Sequence, residues 1–389
     1  NSVRRRHGLM AGAAALLLSG GGPSAHAASP APDRVVHVGP GRQFHLPSEA
    51  AAAVGDGAIV EIDPGTYRGD VAVWRQNDLT IEGVGGRPHI VAEGRNADGK
   101  GIWVLKGRDV RVLNIEFSGA KVPDKNGSGL RIQGPGHTLV SGCYFHDNQD
   151  GILASNIASS SIDIERSEFA RNGAGDGYSH NIYVGRVKSF TLRFSFVHEA
   201  HIGHEVKSRA ALTRILYDWI GNLAGGDGSM LVDLPDGGTA YIIGTVLQKG
   251  VLAENRVAVS FAEESRHNPS QGFFLANDTF VSSLPGAIFV RDRDPATPVR
   301  ITNSLFAGPG MPLAGPGSID HSIEHYQGGF AAAARWDYHL APRSPAIGAG
   351  ADPGQGAGRS LLPVAVYLAP ASGRARRWPR PLDLGAFPD

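Results

Sequence analysis

The sequence predicts an all-β solenoid, and three observations predict it. A short degenerate unit recurs from about residue 114 onward. The residues between units alternate apolar and polar, which is the period-two signature of a strand. Glycine is frequent, 53 residues of 389, while long stretches with 3.6-residue periodicity are absent. Stacked helix pairs would not tolerate that much glycine.

The units are NIEF (114–117), GCYF (142–145), RSEF (166–169), FSFV (194–197), YDWI (217–220), GTVL (244–247), NDTF (277–280) and NSLF (303–306). Their spacing of about 23 to 33 residues is the range in which stacked repeats occur. No unit can bury its apolar face alone, so each must lie on its neighbours. GLRIQG, DGILAS, HNIYVG and HEVKSRA supply the intervening strands. Asn148, Asn172 and Asn222 each follow an aromatic by three residues. They are expected to sit in left-handed turns and to bond amide to amide between coils.

Composition bounds the rest. Hydrophobic residues are 41% and charged ones 19%, which supports a packed core and excludes a disordered chain. A formal net charge of zero argues against a nucleic-acid partner. Arg4, Arg5 and Arg6, the apolar run LMAGAAALLLSGGG and the Ala25-His26-Ala27 pattern read as an export signal over residues 1–27. The expected location is therefore periplasmic or secreted, with residues 28–389 as a single domain. No later run is long enough to span a membrane. The single cysteine, Cys143, cannot form an internal disulfide and is expected in the core. Residues 308–389, with Gly/Pro-rich loops at 308–325 and 350–360, are expected to form an irregular tail packed on the solenoid. Nothing in the pattern sets an oligomeric state.

With these units the chain resembles the right-handed parallel β-helix proteins of the pectin-lyase-like group. LPSEAAAAVGDGAIVEIDPGTYRG, near the front, resembles that group's N-terminal capping helix, first strand and Pro-Gly turn. SPAIGAGADPG (344–354) and DLGAFP (383–388) resemble its closing segments. HNIYVG followed by HEVKSRA resembles a recurrent pair in bacterial β-helix proteins of uncharacterised activity. Polysaccharide lyase is the leading activity that the resemblance implies, with an extended polysaccharide lying along an exposed sheet.

The ionisable segment HIGHEVKSRA (201–210) is where chemistry concentrates. Aligning coils on Ile152, Ile182, Val206 and Val232 turns Asn181, Tyr183, Glu205, Lys207, Arg209 and Asp233 outward, because side chains alternate along a strand. Tyr183, Lys207 and Asp233 then form one column, with coils about 4.8 Å apart. His180 and His204 align with each other and are expected to line the groove edge. His198, His201 and His204 have metal-like spacing only on a helix; on a strand, positions three apart face opposite ways, so no metal site is expected there. The turns GAGDGYS and GNLAGGDGS are expected to wall the groove.

For a lyase acting on a uronate polymer, Arg209 would pair with the substrate carboxylate, Lys207 would be the base, and Tyr183, His180 or His204 the acid. Asn181, Glu205 and Asp233 would contact substrate. The residues demand no cofactor; Glu205 with Asp233 would suit calcium. Two further activities use the same face. A C5 epimerase needs nearly the same groups as the lyase. An inverting glycoside hydrolase would use Glu205 and Asp233, whose Cβ atoms fall roughly 8 Å apart in the expected geometry, inside the inverting range. A non-enzymatic carbohydrate-binding solenoid is the remaining reading. It calls for aromatic ladders, whereas Trp74, Trp103, Trp219, Trp336 and Trp378 are dispersed.

Overall fold

The computed structural model describes residues 34–377 and 381–387. The expected export signal and Trp378 lie outside them. Three long parallel sheets extend from Val35 to Tyr326, with 12, 11 and 10 strands. Each coil contributes one strand to each sheet in turn, as in Thr80–Gly83, His89–Val91 and Gly101–Leu105. The sheets are named here sheet one, two and three in that order. Strand n pairs with the equivalent strand one coil on, so the fold is a parallel β-helix. The capping helix is present as Pro47–Ala53, with Pro47 in its first turn and Ala50 and Ala51 buried against the first coil. No helix among the described residues is long and apolar enough to cross a membrane.

The recurring unit is the bend from sheet one into sheet two, and each position has a physical job. The first residue (Asn114, Gly142, Arg166, Phe194, Tyr217, Gly244, Asn277 or Asn303) has φ between 48° and 67°, which makes the turn tight. The second faces the bend interior. There Ser167, Ser195, Asp218, Thr245, Asp278, Ser304 and Ser322 each accept the backbone N–H of the corresponding residue one coil earlier, at 2.8–3.3 Å. These bonds satisfy amides that no strand ladder reaches. The fourth points into the core of sheet two. Phe117, Phe145 and Phe169 stack at 5.0 and 4.8 Å, and Phe280 and Phe306 at 4.9 Å. Cys143, in one such unit, is buried, and burial pushes its thiol up to about 12.

The solenoid runs further than the glycine and proline content suggested. Gly310–Ala314, Gly317–Asp320 and Ile323–Tyr326 are strands of the three sheets, not loops. Main-chain bonding to the preceding coil outweighs the turn-prone composition. The irregular tail begins after Tyr326 and packs on the outside. Leu361 and Ala365 meet Phe194 and Tyr217, and Tyr367 and Phe387 cluster with Trp219 and Tyr338.

Candidate active site

Sheet three carries the ionisable segment. Tyr183 pairs with Lys207, and Lys207 with Asp233, in adjacent strands Ile182–Val184, Val206–Ser208 and Val232–Leu234. The three therefore form the expected outward column. Lys207 Nζ lies 3.4 Å from Asp233 Oδ2 and 5.7 Å from the Tyr183 ring centroid. Arg209 donates through Nε to the Tyr183 hydroxyl at 3.0 Å.

Two carboxylates that the sequence did not single out complete the cluster. Glu264 Oε1 accepts from Lys207 Nζ at 3.2 Å, and its Oε2 from Arg209 at 2.6 Å. Asp236 accepts from Arg209 at 2.7 Å and from Arg186 Nε at 2.7 Å. Glu264 arrives on the loop after Val257–Phe261. The N–H groups of Glu264 and Ser265 bond Pro235 O, and the Asn268 amide donates to the carbonyls of Arg209 and Ala210. That loop folds back over two coils and supplies a wall of the site. A groove continues from Tyr183 across the earlier coils, past Leu153, Asn156 and Arg131.

Asp233 is almost wholly buried. Burial raises its carboxyl to about 6 against the pull of Lys207. Burial opposes charge on Glu264 too, but Arg209 and Lys207 outweigh it and hold that carboxyl below the usual range.

His180 and His204 stack at 4.7 Å with planes 6° apart. Their Nδ1 atoms accept the backbone N–H of His204 and Met230, one coil on each time. Asp150 Oδ1 accepts the His180 N–H in the same way, so the three form one acceptor column. Accepting at Nδ1 places the proton of a neutral ring on Nε2. Burial, then the neighbouring cations, depress both rings, His204 to about 3 and His180 well below its usual value. His204 Nε2 reaches Asp233 Oδ2 at 3.5 Å, at the rim of the cluster. His180 is 1% exposed and lies beneath the face rather than along an open groove edge.

Asn181 and Glu205 correct the expectation most sharply. Both are 0% exposed and turned inward. They precede the strands that begin at Ile182 and Val206, so they sit in the bend, where alternation between faces does not apply. Glu205 accepts from the Asn181 and Asn222 amides and from Ala200 N–H. Asn148 bonds Asn172, which bonds Asn181, so one buried ladder runs from Asn148 to Asn222. The asparagines do bond between coils. The left-handed residues are instead neighbours such as Asp147, Arg171 and Leu223. Burial raises Glu205 to about 7, and it lowers the equally buried Lys249 to about 7, whose ammonium donates to Ser229 O.

Glu205 and Asp233 thus lie on opposite sides of the sheet. They form neither the calcium pair nor the acid–base pair of a hydrolase, and Asn181 and Glu205 are out of a substrate's reach. His198, His201 and His204 do not converge: His198 contacts Glu168 and Glu199, and His201 contacts Asp227.

No family model matches the sequence, and no curated protein does. Among solved structures, pectate lyase Pel9A superposes with a TM-score of 0.62 at 13% identity, over 91% of this chain and 96% of that one. An alginate lyase from Paenibacillus sp. str. FPU-7 aligns at 12% identity and TM-score 0.49, over 71% of this chain and 95% of that one. At these identities the likeness concerns the fold: this chain has the parallel β-helix architecture seen in pectate lyase Pel9A.

Proposed function

We propose that this protein is a polysaccharide lyase that cleaves a uronate-containing polymer on the outer face of sheet three. The observation that carries the reading is the convergence of Lys207 and Arg209 on one carboxylate, that of Glu264, whose side chain is 48% exposed. Glu264 marks where two cations hold a carboxylate. A substrate uronate would take its place when the loop gives way. The β-helix likeness to a pectate lyase supports the same class.

β-Elimination must offset the uronate's negative charge, take the C5 proton and protonate the departing oxygen. Lys207 lies between Asp233 and Glu264. We therefore assign it, with Arg209, to holding the carboxylate and its developing charge rather than to the base role that the sequence suggested. Tyr183 is the proton-transfer group. Its hydroxyl gives its own proton to the leaving oxygen as the C4–O bond breaks, while its oxygen takes the C5 proton and the C4–C5 double bond forms, so that the hydroxyl is regenerated. The Arg209 hydrogen bond stabilises negative charge on that oxygen in transit. Export to the periplasm or medium belongs to this reading, because polymeric substrate is met there. Mass spectrometry of exported protein should find cleavage after Ala27.

The test is a panel of acidic and neutral polysaccharides. Ultraviolet-absorbing unsaturated ends are expected on uronate polymers only. Tyr183→Phe should lower turnover by at least about 100-fold with the fold unchanged. New reducing ends without unsaturation, altered uronate stereochemistry without cleavage, or binding without turnover would each overturn the lyase assignment.

A further inference from the structure

A second constellation lies on sheet two, away from Lys207. His89 pairs in register with Glu116, Glu116 with Tyr144, and Tyr144 with Glu168. His146 stands two positions after Tyr144. His89 Nδ1 lies 3.4 Å and His146 Nε2 3.1 Å from the same oxygen, Glu116 Oε1. Among the described residues this is the one His/Cys/Asp/Glu group whose ligand atoms all come within 4.8 Å of one another. We propose that His89, Glu116 and His146 form a binding site for a divalent zinc-class metal ion, with the fourth position open to solvent.

Three observations support it. Ligands about 2.0–2.1 Å from a tetrahedral zinc lie about 3.3–3.4 Å from one another, and the two His–Glu distances sit near that value. Each ring is also held from behind. His146 Nδ1 meets Asp147 Oδ2 at 2.6 Å, and His89 Nε2 meets Ser118 Oγ at 2.7 Å. Such outer partners orient the imidazoles of metal sites. Without a metal, His146 has a carboxylate at both nitrogens, an arrangement that an ion bound at Nε2 explains. The side chains are 15–27% exposed, so an ion can enter.

The next rungs repeat the design with one change. His198 meets Glu168 at 3.3 Å and Glu199 at 2.9 Å, as His146 meets Glu116 and Asp147. Tyr144 stands there in the position of His89. That set lacks the third strong ligand and serves as an internal control.

The experiment titrates chelator-treated, tag-free full-length protein with zinc chloride by calorimetry and with cobalt chloride by visible absorption. One equivalent with a tetrahedral cobalt spectrum is expected. His89→Tyr, which copies the neighbouring rungs, should weaken affinity more than 10-fold. Asp147→Asn, which touches no ion, should weaken it about 10- to 100-fold. Unchanged melting of the metal-free variants shows that the fold is intact. Should His89→Tyr not fold, Glu116→Gln replaces it. No stoichiometric binding, or wild-type affinity in the folded ligand variant, overturns the proposal.

Discussion

Glu205 and Lys207 stand two positions apart on one short segment, yet they face opposite sides of sheet three. Lys207 is inside the strand and points outward, where Asp233, Glu264 and the Tyr183 ring meet it. Glu205 is one residue before the strand and turns into the bend, where two amides and a backbone N–H hold it. Alternation between faces holds inside the strand and fails at the bend before it. Inside a ladder the pleat dictates which side a residue takes. At a bend, the backbone and amide groups left without ladder partners recruit whatever polar side chain is adjacent. The outer cluster is accessible chemistry; the inner ladder is structural satisfaction.

Stability separates the two sides most directly. Glu205→Leu strips the acceptor from Asn181, Asn222 and Ala200 N–H in a dry site, each worth about 1–3 kcal/mol. A total loss of about 3–5 kcal/mol in urea unfolding is expected. Lys207→Ala in the same assay should cost less, about 1–2 kcal/mol, since Glu264 reaches solvent and keeps Arg209, while the buried Asp233, already raised to about 6, takes up a proton when its partner is lost. Equal losses would mean that the two sides are not distinct.

Acidity separates them next, because the two groups respond with opposite signs. His204 is depressed to about 3 by burial, so the unfolded chain binds the extra proton below its usual 6.5. The stability that His204 contributes is complete above pH 6.5 and is lost as pH falls towards about 3. The loss amounts to about 2 kcal/mol between pH 6.5 and 5. Glu205 is raised to about 7, so its contribution is complete below about 4.5 and is lost as pH rises through 7. Relative to wild type, His204→Asn should therefore gain stability on acidification and Glu205→Gln should lose it. Parallel pH profiles would show that one of the two groups is solvated.

The smallest effect concerns Glu264. Removing it in Glu264→Ala frees Lys207 and Arg209 for a substrate carboxylate. KM for a uronate polymer should fall roughly three- to tenfold, the scale of an exposed pair worth about 1 kcal/mol. A rise in KM would mean that Glu264 contacts substrate itself.

The solenoid was legible because its repeat is local: a bend residue, a polar residue and an inward apolar residue occur within four positions, coil after coil. Once Ile182, Val206 and Val232 were aligned, the Tyr183–Lys207–Asp233 column followed from register alone. Glu264 was not legible, because its partners Lys207 and Arg209 lie 57 and 55 residues earlier and meet it through a loop that doubles back. The His89–Glu116–His146 group was not legible for a similar reason. Its members come from three coils and follow no ligand spacing along the chain.

By itself, the sequence determined the strand period, the coil length and the inward stack, since these depend on side chains a few positions apart. Tertiary structure alone decided where each strand starts and which loop crosses which coil. Those choices set the direction of Glu205 and the partners of Arg209. The physical reason is that a backbone amide or a buried charge must find a partner in space, and neighbouring coils supply that partner from tens of residues away.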